Sequence, residues 1–114
     1  MKFIYVDDLR PTPFGSFNIY DAHFKTVNDT LKYIRNAYKA GTTNFFLDLD
    51  HDASDIYSPE GGDYIEILNK LEALHDSGKM RHIKLKVHFH SGNAVGIANM
   101  RAIVEHNHKW MEEV

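Results

Sequence analysis

The sequence predicts an α/β fold with a small, mainly parallel sheet, and three observations lead there. Residues 2–6, 44–49 and 83–89 are short runs rich in Val, Ile, Phe and Leu, with the length of strands. Segments with apolar residues at helical spacing alternate with them, the order expected of strands joined by right-handed helical crossovers. Each run then stops in polar residues: Asp7-Asp8, Asp50-His51-Asp52 and His90-Ser91. Parallel strands of open α/β sheets present ligand groups at their carboxyl ends, so these tips are expected along one edge.

In chain order, residues 2–6 form a first, central strand. Two prolines and a glycine within residues 7–15 make the next stretch a loop, and residues 17–25 have weak extended character. Thr26 opens a helix with Asp29 at capping-box spacing; Val27, Leu31, Ile34 and Tyr38 share a face, and Gly41 closes it. Residues 44–52 run from a buried strand into three aspartates and a histidine, and residues 53–63 read as a loop. A second helix covers 64–75. Residues 83–90 alternate strictly, which marks a half-exposed strand and hence a sheet edge. Asn93 is the expected N-cap of the last helix, with Val95, Met100, Ile103 and Val104 toward the core. Residues 106–114 read as its frayed end, with Trp110 packing back.

At 114 residues the chain is expected to be a single domain, 1–114, without repeats or linkers. Its 43% hydrophobic and 25% charged residues are ordinary for a globular protein. A net charge of −3 gives no general nucleic-acid surface, so a phosphorylated ligand has to be held by local groups or a metal. No cysteine is present, which excludes disulfides and a thiol nucleophile and fits a cytoplasmic setting. Neither a signal peptide nor a membrane span is expected.

Carboxylates are costly to bury unless paired or holding a cation. Asp7, Asp8, Asp50 and Asp52 therefore form a candidate metal cluster, and oxygen-only ligands suit Mg²⁺ or Mn²⁺. Asp48 shares the strand face of Asp50 and is either a further ligand or a buried hydrogen-bonded residue. His90, at a strand tip, is the candidate acid or base. His88, further down the exposed face, is assigned to surface or packing. His51 either orients its acidic neighbours or is a loop histidine. The turn at Ser91, Gly92 and Asn93 leads into a helix whose free N–H groups suit a phosphate. Arg10 either grips that phosphate or pairs with an aspartate.

Taken together, the motifs Asp7-Asp8-Leu9-Arg10-Pro11-Thr12-Pro13, Leu49-Asp50-His51-Asp52, Gly62-Asp63-Tyr64 and His90-Ser91-Gly92-Asn93-Ala94-Val95-Gly96 with Asn99-Met100 resemble the cyclic-phosphate-processing receiver-like domains. That family is a truncated, divergent branch of the response-regulator receiver fold. The resemblance spans nearly the whole chain and implies a flavodoxin-like three-layer sandwich. It also implies an acidic pocket from Asp7, Asp8 and Asp50, joined by Asp52, His90, Ser91 and Asn93, that acts on cyclic phosphates such as RNA ends or cyclic nucleotides. Ordinary receivers have a fifth strand ending in a phosphate-contacting lysine, and none is expected after Ser91. Ala94 stands where the family often has proline, and Asp48 is an additional acid.

Two functions follow from this reading. The first is a metal-dependent cyclic-phosphate phosphoesterase, with Asp50, His90 and Ser91 catalytic, Arg10, Ser91 and Asn93 on phosphate, and Asp7, Asp8, Asp50 and Asp52 on the metal. The second is a non-catalytic receiver-derived module that binds a phosphorylated ligand or a protein partner.

Overall fold

The computed structural model describes residues 1–8 and 19–114. Its elements are β1 (Lys2–Val6), β2 (Ala22–Phe24), α1 (Val27–Lys39), β3 (Asn44–Leu49), α2 (Ile65–Asp76), β4 (Lys84–Phe89), α3 (Ala94–His106) and β5 (Met111–Glu113). All five strands are parallel, in the order β2-β1-β3-β4-β5. This is the doubly wound 2-1-3-4-5 order of flavodoxin-like sheets. No described helix is long and apolar enough to cross a membrane. Arg10 lies outside the described residues, as does part of the extended segment expected at 17–25, whose described remainder supplies β2.

The helix ends follow local chemistry. The Thr26 hydroxyl accepts the Asp29 N–H at 3.1 Å, so α1 starts at the expected cap. Gly41, at φ +106°, takes the left-handed conformation that ends the helix. Asn93 caps α3 by accepting the Gly96 N–H at 2.8 Å.

α1 packs on α2 and α2 on α3, which puts the three helices on one face of the sheet. Ile4, Val6, Phe45, Leu47, Leu49, Leu85 and Val87 point toward them and are fully or almost fully buried. Each large side chain removed from water in this layer contributes about 1.5–3 kcal/mol. The opposite face carries the alternate residues, Phe3 and Tyr5 of β1, Phe46 and Asp48 of β3, and Lys86 and His88 of β4, which the register aligns in rows. Phe3 and Phe46 stack there at 5.2 Å. Against the expectation of three layers, the described residues supply helices on this one face only.

Three local expectations change. Residues 111–113 form a fifth strand paired with Leu85, Lys86 and Val87, where a frayed helix end was expected. The segment is too short for a period-2 pattern to show, and its pairing comes from tertiary context. The strand ends in Glu112 and Glu113, so it brings no lysine to the carboxyl edge. β4 is consequently not an edge strand; it alternates because one of its faces lacks a helix. Val95 points outward, 72% exposed, whereas Met100 and Val104 are buried as expected. Gly96 is buried in Val95's stead, in contact with His51.

Candidate acidic site at the strand tips

The sheet ladder continues one residue past the strands and fixes the polar tips. The Asp50 N–H donates to the Val6 carbonyl at 3.0 Å, the His90 N–H to Leu49 at 2.9 Å, and the Asp7 N–H to Phe24 at 3.2 Å. Four strand ends are thereby tied to one another before any side chain is considered.

Asp7, Asp8 and Asp50 each offer an oxygen, and these atoms all lie within 4.8 Å of one another. Asp7 and Asp8 are buried, and Asp50 is partly so. Asp8 Oδ2 accepts the Ser54 N–H at 2.6 Å, and Asp50 Oδ1 accepts the His51 N–H at 2.8 Å. Asp8 Oδ1 is buried with no hydrogen-bond partner among the described residues. A buried acceptor left unsatisfied costs about 1–3 kcal/mol. Repulsion adds to this, on the order of 3 kcal/mol per ionised pair at an effective dielectric of about 20. The donor set is all oxygen and carboxylate, and one oxygen lacks a partner among the described residues, so the three residues fit a hard divalent cation such as Mg²⁺ or Mn²⁺.

Tyr64 is buried near the cluster. Its hydroxyl donates to the Lys25 carbonyl at 2.7 Å. Burial, with the nearby charges of Asp8, Asp7, Asp50 and Asp63, pushes its ionisation far above the usual tyrosine range.

His90 stands between two carboxylates. Its Nδ1 is 2.5 Å from Asp48 Oδ1 and its Nε2 is 2.9 Å from Asp7 Oδ2. Ionised carboxylates only accept, so this geometry calls for a proton on each nitrogen, the imidazolium form. Burial alone would pull the histidine pKa down, but hydrogen bonding and charge from Asp48, and then from Asp7, outweigh it and raise the value. Asp48 responds in the opposite sense. Its burial would raise the pKa, yet the hydrogen bonds from His90 and Tyr20 prevail and lower it. The Tyr20 hydroxyl donates to Asp48 Oδ2 at 2.5 Å. Tyr5 stacks flat on His90, and the His23 Nε2–H donates to the Asp7 carbonyl at 2.9 Å.

A second polar group lies beside the first. His51 Nδ1 is 2.7 Å from Asp52 Oδ1, and the Asn93 amide donates to both Asp52 oxygens at 3.2 and 3.3 Å. Asp63 joins them and accepts the Ala53 N–H at 3.0 Å. The His51 hydrogen bond holds the Asp52 carboxyl below its ordinary value. Ser91 Oγ accepts the Asn93 N–H at 3.0 Å.

The structure thus brings Asp7, Asp8, Asp50 and His90 together. Asp52 and Asn93 are placed with His51 in the neighbouring group, and Ser91 and Asn93 already shape the turn into α3. Of the N–H groups at the start of α3, that of Gly96 is taken by the Asn93 cap. Asp48 is the buried hydrogen-bonded residue of the two alternatives. Tyr5 and Tyr20 were not singled out from sequence. For Tyr5 the available signal was parity, because Tyr5 and Asp7 are two residues apart and share the face that carries Asp48 and His88.

A 2-1-3-4-5 parallel sheet with paired acids after β1 and an aspartate after β3 defines a receiver-type domain. Residues 2–106 match the family model described as the cyclic-phosphate processing receiver domain, and the chain belongs to that family. Neither a curated protein nor a solved structure matches the chain.

Proposed function

We propose that this domain is a metal-dependent phosphoesterase that opens cyclic phosphates, either 2′,3′-cyclic phosphates at RNA ends or cyclic nucleotides. The supporting observation is Asp8 Oδ1, a buried carboxylate oxygen without a partner among the described residues, grouped with Asp7 and Asp50. These three would hold Mg²⁺ or Mn²⁺, which when bound supplies positive charge to the phosphoryl oxygens. Membership of a cyclic-phosphate processing family points to the substrate class.

The chain's own groups have separable jobs in this reading. His90 fixes the orientation of Asp7 through Nε2 and is the proton store beside the cluster. Asp48 and Tyr20 keep that imidazole charged and in place. Water attacks phosphorus, the bond to one ribose oxygen breaks, and that oxygen takes up a proton while the attacking water gives one up. Asp50 or Asp52 would take the water's proton. Ser91 would contact the phosphate at the start of α3.

A second reading, a module that binds a phosphorylated ligand without turnover, is favoured by one observation: both nitrogens of His90 are engaged by carboxylates. Incubation with 2′,3′-cyclic nucleotides, cyclic dinucleotides and RNA ending in a cyclic phosphate, with and without Mg²⁺, separates the two. The phosphoesterase reading expects ring-opened product that needs Mg²⁺ and disappears in Asp50→Asn and His90→Ala. Mg²⁺-dependent binding without product would overturn it in favour of the second.

A further inference from the structure

At the opposite end of the sheet, where β4 begins and β5 is entered, a cavity of about 570 Å³ opens. The six residues of β4, at roughly 3.3 Å each, separate it from the acidic tips. Its walls carry Arg81, Lys84, Lys109, His75 and Trp110. We infer that this cavity binds a nucleotide, with the phosphate among Arg81, Lys84 and Lys109 and the base against the Trp110–His75 aromatic pair. The inference is independent of the chemistry proposed at the acidic tips.

Charge is the first support. Arg81, Lys84 and Lys109 form no ion pair among the described residues; the only polar side-chain contact of the three is from Arg81 to its neighbour His82. The one lining carboxylate, Asp76, is bonded to His75 at 3.1 Å. A chain of net charge −3 therefore carries a locally positive hollow. Three unpaired cations around a concave site attract an anion, and phosphate suits guanidinium and ammonium together.

The aromatic wall is the second support, and it separates a nucleotide from a bare anion. Trp110 and His75 stack at 4.3 Å with 10° between their planes. Trp110 is held by its backbone, which accepts from the Leu85 N–H at 2.8 Å and donates to Asn107 at 3.0 Å. Asn107 is fixed in turn by its side-chain bond to Glu72. A base stacked on a pre-positioned aromatic side chain gains about 1–3 kcal/mol. The volume lies within the roughly 300–1,000 Å³ of ordinary ligand sites.

A transition metal is the competing occupant, because His75, His82, His106 and His108 all line the cavity. Their ligand atoms do not converge: the two groups of potential metal ligands among the described residues lie at the other end of the molecule.

Trp110 is the sole tryptophan, so its fluorescence reports on this site alone. The full chain is titrated with AMP, adenosine, inorganic phosphate and a short acidic peptide. A saturable change with AMP is expected, with adenosine and phosphate each at least tenfold weaker, a loss of about 1.4 kcal/mol or more. Arg81→Gln/Lys84→Gln, two exposed substitutions, should weaken AMP at least tenfold with an unchanged melting temperature. Asp50→Asn should leave AMP binding intact. No saturable change with AMP, equal binding of the acidic peptide, or binding indifferent to the Arg81/Lys84 substitutions would overturn the inference. So would loss of AMP binding in Asp50→Asn, which would assign the ligand to the acidic tips.

Discussion

The ring of Tyr5 lies parallel to the imidazole of His90, with 4.9 Å between centroids and 3° between planes. One residue comes from the first strand and the other from just past the fourth, across β3. The stack covers one face of a histidine whose edge is held by Asp48 and Asp7, so its orientation is fixed from several directions. An aromatic face also favours a cation, which agrees with the charged imidazole the hydrogen bonds require.

This arrangement makes a pH prediction for the metal-free protein in EDTA. The folded pKa of His90 is raised, so its contribution to stability is complete below the unfolded value near 6.5 and is lost as pH rises through the folded value. Asp48 is lowered, so its contribution is present above the unfolded value near 3.9 and is lost as pH falls through the folded value. The pair is therefore most stabilising between about pH 4 and 6.5. NMR titration of the His90 ring should show a midpoint above the ordinary imidazole value, and Asp48→Asn should bring it down. An unchanged midpoint in Asp48→Asn would contradict the assignment.

Asp8→Asn tests the acidic cluster through stability. In EDTA the variant should be at least as stable as the parent, because it removes one charge from three crowded carboxylates while keeping an acceptor for the Ser54 N–H. Mg²⁺ at about 100 times its dissociation constant should stabilise the parent by about 2.7 kcal/mol and the variant far less. Thermal melts with and without Mg²⁺ give both numbers.

Gly96→Ala should disturb the second polar group. A Cβ at this position would stand 2.4 Å from the ring of His51. Alanine gains about 1 kcal/mol of helix propensity over glycine, but overpacking of this kind costs about 1–3 kcal/mol, so the expected net effect is a loss. Gly92→Ala meets nothing within 4 Å and should change stability by less than about 0.5 kcal/mol. Denaturant unfolding of the two variants, side by side, checks the contrast.

Tyr64→Phe should cost about 0.5–1.5 kcal/mol, the worth of the hydroxyl bond to the Lys25 carbonyl. Tyr64→Ala, which empties a fully buried site in the core, should cost about 3–5 kcal/mol. The ratio measured by chemical denaturation separates the polar role of this residue from its packing role.

Much of the acidic site could be read from strand-end chemistry. Apolar runs at β1 and β3 that stop in Asp7-Asp8 and Asp50 announced acids at the carboxyl edge, because a strand's direction and its last residues are local properties. The Thr26 and Asn93 caps were legible for the same reason. β5 was not: three residues carry no usable periodicity, and Met111 becomes a strand residue only because Leu85 and Val87 leave a free edge beside it. The alternation of β4 was read as exposure at an edge when its cause was a face without a helix. The Tyr20–Asp48–His90–Asp7 chain joins segments up to 83 residues apart, and spacing in sequence contains no information about such a meeting. The register puts Tyr5 opposite Asp48 and Asp48 opposite His88 on one face, and Asp7 and His90 each follow two residues beyond Tyr5 and His88.

That register has a consequence for any cation the domain holds. Val6 opposite Leu49 is the last paired rung between two neighbouring strands, and the acids sit immediately beyond it. Sliding β1 by one position would invert its side chains and carry Asp7 away from Asp50. Ion affinity is thus a gauge of strand alignment: core substitutions far from any aspartate, if they loosen this one rung, should release the ion before the molecule unfolds.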